Sequence, residues 1–184
     1  VPYYIAQIYY LQGKYDEVIN YAPALLDSAN IKRQPEIAHL LGDAYFKKGK
    51  YSDALPYFEK YQKSASQLSR GDYYQIAYSY YKANDFTKAI LYFKKSIKDA
   101  DSLTQLAHYH MADCYIHSNN KQLARISMQT ASKMNFDKEI QEDALFNFAK
   151  LAFELSYNPY QEAISAFETY ISQYPNSPRL DEAY

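Results

Sequence analysis

The chain has one cysteine, four glycines and no tryptophan, and its 20 basic residues are offset by 21 acidic ones. Each scarcity excludes something. A lone Cys114 cannot form an internal disulfide, so packing alone must hold the fold together. Four glycines without a Gly-x-Gly run leave no loop able to cradle a phosphate. A net charge of −1 without clustered Lys and Arg gives no surface for displacing counterions from a duplex, so nucleic acid is not an expected partner. No apolar stretch approaches the roughly 18 residues of a membrane span. Lys14, Asp16 and Glu17 make the opening segment unlike a signal peptide. The chain begins with Val1, not Met, which suggests a piece of a longer polypeptide.

What is abundant is tyrosine, with 23 residues, and apolar spacing of three and four along nearly the whole chain. Strand-like alternation is weak. The expected class is all-α.

A repeat organises this pattern. Gly42-Asp43-Ala44-Tyr45-Phe46-Lys47-Lys48-Gly49-Lys50-Tyr51 aligns without gaps with Ala77 to Phe86 at an offset of 35. Ala6 to Tyr15 and Ala112 to Lys121 fall into the same alignment. Downstream, Val18, Ala54, Ala89, Ala124 and Ala163 recur at intervals of 36, 35, 35 and 39, and Phe58, Phe93, Met128 and Phe167 each follow their Ala by four. Each unit reads as two helices. In the second, helix A is expected over about 36–48 and helix B over about 52–63. Between them a turn needs a left-handed residue, and Gly13, Gly49, Asn84 and Asn119 occupy that slot. Pro56 is expected in the first turn or so of its helix, whereas Pro23 is expected to kink its helix or delay its start, making the first repeat the least regular. Expected repeats are 1–33, 34–68, 69–103, 104–138 and 139–176, with a small insertion before Pro159 and a partial sixth at 177–184.

Leu41-Gly42-x-x-Tyr45 with Ala54-x-x-x-Phe58 resembles the tetratricopeptide repeat, as do Ile76-Ala77-x-x-Tyr80 with Ala89-x-x-x-Phe93 and Met111-Ala112-x-x-Tyr115 with Ala124-x-x-x-Met128. The resemblance implies a right-handed superhelical solenoid of antiparallel helix pairs, with about five repeats and part of a sixth. Tyr174-Pro175-Asn176-Ser177-Pro178 is similar to the inter-repeat segment of bacterial envelope members, the outer-membrane-assembly lipoproteins and the Tol–Pal-associated periplasmic protein. Here Pro175 should stop one helix, Ser177 cap the next and Pro178 take its first position. The implied location is the periplasmic side of a bacterial cell envelope.

The resemblance also implies that first helices line a concave groove. Beside the core face of helix A runs a stripe of His39, Asp43 and Phe46, with Lys47 next to it. Its counterparts are Tyr3, Gln7 and Tyr10; Tyr74, Tyr78, Tyr81 and Lys82; and Tyr109, Asp113, Ile116 and His117, with Phe146, Lys150 and Phe153 as an extension. Such a surface suits a protein or peptide partner. Members that grip chaperone tails use a Lys and Asn clamp; Tyr3, Gln7, His39, Asp43, Tyr74 and Tyr78 replace it here, so that activity does not carry over.

No cofactor is expected. His108 and His110 point to different sides of a helix, and His110, Cys114 and His117, at spacings of four and three, read more simply as a core cysteine with flanking histidines than as a zinc site. No nucleophile sits with a base in a recognisable elbow, and Asp16-Glu17 and Glu142-Asp143 read as solvated or first-turn charges. The reading is a non-catalytic protein-interaction scaffold, with a glycan-binding module or a regulatory segment of a signalling protein as alternatives.

Overall fold

The computed structural model describes residues 2–28, 33–156 and 160–184. Among these residues every regular element is a helix. They are α1 Pro2–Leu11, α2 Tyr15–Ser28, α3 Gln34–Lys47, α4 Tyr51–Ser64, α5 Arg70–Lys82, α6 Phe86–Ser96, α7 Ser102–His117, α8 Lys121–Ser132, α9 Lys138–Leu155, α10 Gln161–Gln173 and the short α11 Leu180–Ala183. Helices A and B of the second repeat are thus α3 and α4, close to the expected bounds. No helix among the described residues is long and apolar enough to cross a membrane.

Two compact units divide the chain, 1–88 and 89–184. In the first, α1 packs on α2, α2 on α3, α3 on α4 and α4 on α5, and α1 also touches α3. In the second, α7 packs on α8, α8 on α9, α9 on α10 and α10 on α11, and α7 also touches α9. Each unit is therefore a stack in which an element meets its chain neighbours and the next element of its own kind, the contact pattern of a helical repeat.

The turns explain why each pair reverses. Gly13, Gly49, Asn84 and Asn119 all adopt positive φ, at 72, 71, 60 and 55°. Gly49 N–H donates to the Phe46 carbonyl and Lys50 N–H to that of Tyr45, both at 2.9 Å, and the same two bonds recur at the other three turns. This doubly bonded ending satisfies carbonyls that a helix end otherwise leaves unpaired. The longer-range acceptor is always the helix-A tyrosine: Tyr9, Tyr45, Tyr80 or Tyr115.

The core is built from the small positions and the rings they admit. Ala6, Ala54, Ala77, Ala89, Ala112 and Ala124 are fully buried, as are Phe58 and Phe93. At Gly42 the approach is closest: a Cβ there would stand 2.6 Å from Phe58 Cδ1 and 2.7 Å from Cε1. Only glycine leaves that ring its place.

Three expectations about local structure are corrected. Pro56 is the sixth residue of α4, a turn deeper than expected. It and Ser52, whose carbonyl loses its backbone donor, are both exposed, so water can meet the loss. Pro23 does not delay α2, which begins at Tyr15; buried Val18, Ala22 and Leu26 keep the inner face continuous past the proline. Ser177 does not cap a helix that starts at Pro178. Its carbonyl closes a turn with Leu180 N–H at 3.3 Å, so α11 starts at Leu180, and its hydroxyl bonds to Tyr170 at 2.6 Å. The insertion before Pro159 lies outside the described residues.

Gly42→Ala should lower stability in urea unfolding. Overpacking costs roughly 1–3 kcal/mol, against about 1 kcal/mol regained from helix propensity. Adding Phe58→Leu should reduce the loss, because the methyl then has room.

Candidate functional site

Five stripe residues of unit 1 meet at one cleft of about 400 Å³: Tyr3, Gln7 and Tyr10 from α1, and His39 and Asp43 from α3. Glu36 and Tyr61 contribute to its lining. Gln7 Nε2 donates to the Tyr3 hydroxyl at 2.8 Å. The Arg33 guanidinium lies 5.1 Å over the Tyr3 ring and pairs with Glu36. His39 is the hub. Its Nε2 is 2.8 Å from Asp72 Oδ1 and 3.6 Å from Asp43 Oδ2, and its ring sits 4.4 Å from that of Tyr61. Asp72 is itself fixed at the start of α5, where it accepts from Ser69 N–H at 2.7 Å while its own N–H donates to Ser69 Oγ at 3.1 Å.

These contacts set the protonation. Burial pulls the His39 imidazole down, but the Asp72 hydrogen bond and the two carboxylates outweigh it and leave the group above the ordinary histidine value. Burial raises Asp43, and its proximity to His39 only partly counters this. Asp72 is lowered: burial opposes ionisation, but hydrogen bonds from His39 and Ser69 prevail. Tyr10 is pushed up to about 12 by burial and by Asp43.

The remaining stripe residues of unit 1 form a cluster of rings. Tyr78 is its centre, with Phe46 at 5.8 Å, Tyr51 at 5.2 Å, Tyr74 at 6.1 Å and Tyr81 at 5.7 Å between centroids. Lys82 Nζ lies 5.2 Å from the Tyr78 ring centre and 5.1 Å from that of Tyr81. Every ring in the cluster is partly exposed, and Lys47 and Lys82 are exposed.

In unit 2 the stripe is more committed to structure. Tyr109 donates to Asp143 Oδ2 at 2.6 Å, and Asp143 also pairs with Arg179 and accepts from Asn147 Nδ2 at 2.9 Å. Burial raises the Tyr109 phenol well above its ordinary value. Asp113 and His117 stand 3.8 Å apart, and Ile116 is exposed. Phe146 is not a groove residue. It is buried against Tyr170 and Phe167 of α10, at 5.2 and 6.3 Å. Lys150 and Phe153 are exposed.

The histidines do not converge on Cys114. That thiol is fully buried and pushed up to about 12 by its surroundings, His110 stacks 6.1 Å from Phe93, and His117 is exposed. Among the described residues no group of three or more His, Cys, Asp and Glu is placed to hold a metal ion.

Reading the A helices alone misses what folds over them. Tyr51 and Tyr61 come from α4, and Asp72 and Asp143 come from the starts of the following A helices. A second cleft, of about 860 Å³, runs along α9 to α11 and is lined by Phe153, Tyr160, Ile164, Phe167, Ile171 and Tyr184. Of these only Phe153 was expected at a binding surface.

With helix pairs, positive-φ turns and small-residue core in place, comparison with known proteins is direct. Models of the tetratricopeptide repeat match residues 3–69 and 143–177, and the model for subunit 3 of the anaphase-promoting complex, cyclosome, matches 47–131. The chain belongs to the tetratricopeptide-repeat family. No curated protein matches it by sequence. Among solved structures, MamA is similar with a TM-score of 0.71 at 17% identity, over 93% of this chain and 95% of that one. YrrB, described as a TPR protein with an unusual peptide-binding site, is similar with a TM-score of 0.73 at 14% identity, over 97% and 87%. At these identities the likeness is one of fold.

The His39 contacts predict a pH dependence. Its pKa is raised on folding, so its contribution is fully present below the unfolded value of about 6.5. It is lost as pH rises through the higher folded value. Wild type should therefore lose stability relative to His39→Gln as pH rises from about 6 to above 8, measured by urea midpoints across that range. Parallel midpoint curves would show that the histidine pairing is energetically silent.

Proposed function

We propose that this chain is a non-catalytic interaction scaffold whose helix-A stripes bind a peptide or protein segment. The observation that carries this is the Tyr78 cluster. Five aromatic rings, each partly exposed, lie together with Lys82 on elements whose cores are already filled by other residues. Rigid tyrosines with a polar tip give contact area at low entropic cost, the profile of protein-recognition surfaces. A fold neighbour described by its peptide-binding site is in keeping with this reading. Sugar recognition would use open ring faces, and the packing of Tyr78 against four other rings favours a peptide instead.

Replacing Tyr78 and Tyr81 by Ala should weaken partner capture by about tenfold or more, a loss of roughly 1.4 kcal/mol of binding. Quantitative pull-downs with wild type and variant, each first shown to be folded by circular dichroism, provide the comparison. An identical set of partners at identical recovery would count against the groove.

The finer reading puts the scaffold in a bacterial cell-envelope assembly, on the periplasmic side. Its support is the Tyr174-Pro175-Asn176-Ser177-Pro178 segment. Cell fractionation with an antibody to this chain checks it, and recovery wholly in the cytosol would count against it.

A further inference from the structure

The cleft formed by α1 and α3 has a chemistry that selects among ligands. We propose that it receives the cationic end of an arginine or lysine side chain carried by the bound segment, an inference that rests on the groove reading and gives it a ligand class.

Glu36 and Asp43 line the cleft, and no Lys or Arg does. Asp43 is only 8% exposed, yet its Oδ1 is fully enclosed without a hydrogen-bond partner. Its other oxygen reaches His39 only at 3.6 Å, because that imidazole is drawn to Asp72 at 2.8 Å. A buried carboxylate oxygen without a donor is an unmet demand, and an incoming guanidinium or ammonium supplies N–H groups and charge together. Tyr10 and Tyr61 stand beside it and offer ring faces that attract cations. The protein already makes this pairing at the mouth, where Arg33 lies over Tyr3 and pairs with Glu36. Lys47, four residues past Asp43, is exposed and outside the lining. At about 400 Å³ the space suits one long side chain and excludes a packed helix.

The test is a nuclear magnetic resonance titration of the whole chain with the capped peptide acetyl-Gly-Ser-Arg-Ser-Gly-amide and its Lys, Gln and Glu counterparts. The Arg and Lys peptides should shift the amides of Gln7, His39 and Asp43 with saturation, and the Gln and Glu peptides should bind about tenfold more weakly or not at all. Raising salt from about 50 to about 300 mM should weaken the Arg peptide. Asp43→Asn should weaken it by about fivefold. Should that variant not fold, Tyr10→Leu keeps the carboxylate and removes a ring, with an expected loss of about threefold. The inference falls if the Glu peptide shifts these amides as strongly as the Arg peptide, or if Arg binding survives in the folded variants. The Tyr78 and Tyr81 double variant lies outside the cleft and should keep Arg binding. Lost partner capture there with a silent cleft sinks this inference alone, whereas a responsive cleft with unchanged capture sinks the Tyr78 groove alone.

Discussion

A phenyl ring pressed into the notch left by a missing side chain is the contact on which each helix pair depends. Phe58 occupies the space that any Cβ at Gly42 would claim. In the neighbouring repeats Ala6, Ala77 and Ala112 stand at that position, fully buried, and the partners are Ala22, Phe93 and Met128. Small against large is what lets two backbones come close while leaving no void. Once that distance is set, the rest follows in order. The turn must reverse in three residues, the tyrosine must sit where its carbonyl can close that turn, and the stripe beside the core face is left free for other work.

That stripe is not uniform. At His39 and Tyr109 it is partly spent on joining one repeat to the next. His39 reaches Asp72, 33 residues on, and Tyr109 reaches Asp143, 34 residues on. Both partners are carboxylates near the start of the following A helix, so the same tie is made twice with different donors. Around Tyr78 there is no such tie to a carboxylate, and rings gather instead. A single stripe thus serves cohesion at some repeats and presents a surface at others, which is how a repetitive scaffold acquires local chemistry.

Much of this was legible before any coordinates. The interval of about 35 residues fixed the pairs. Gly13, Gly49, Asn84 and Asn119 announced the turns, since few other residues take positive φ without strain. What escaped has physical reasons. The fifth pair has Ala152 where the others have tyrosine, so its phase was hidden, and Phe146 looked like a surface residue when it is core. Gln105 gave no signal as a polar residue in a helix. Yet it is fully buried, with Nε2 donating to the carbonyls of Met134 at 2.8 Å and Asp137 at 3.1 Å and Oε1 accepting from Asp137 N–H at 2.8 Å. A contact across about 30 residues between a side chain and a linker backbone leaves no periodic trace. The cleft was half visible: its α1 and α3 walls obey the repeat, but Tyr61 and Asp72 enter from elements that a one-helix reading ignores.

The doubly bonded turns carry a further consequence. Each reversal is closed by hydrogen bonds that reach back no more than five residues, as from Lys50 to Tyr45. A hairpin of this kind needs nothing downstream in order to form. As the polypeptide leaves the ribosome, every pair can therefore close in turn and offer its flank to the one behind it, so that structure accrues vectorially and in increments. A chain assembled this way tolerates the gain or loss of whole pairs far better than the gain or loss of a single residue inside one.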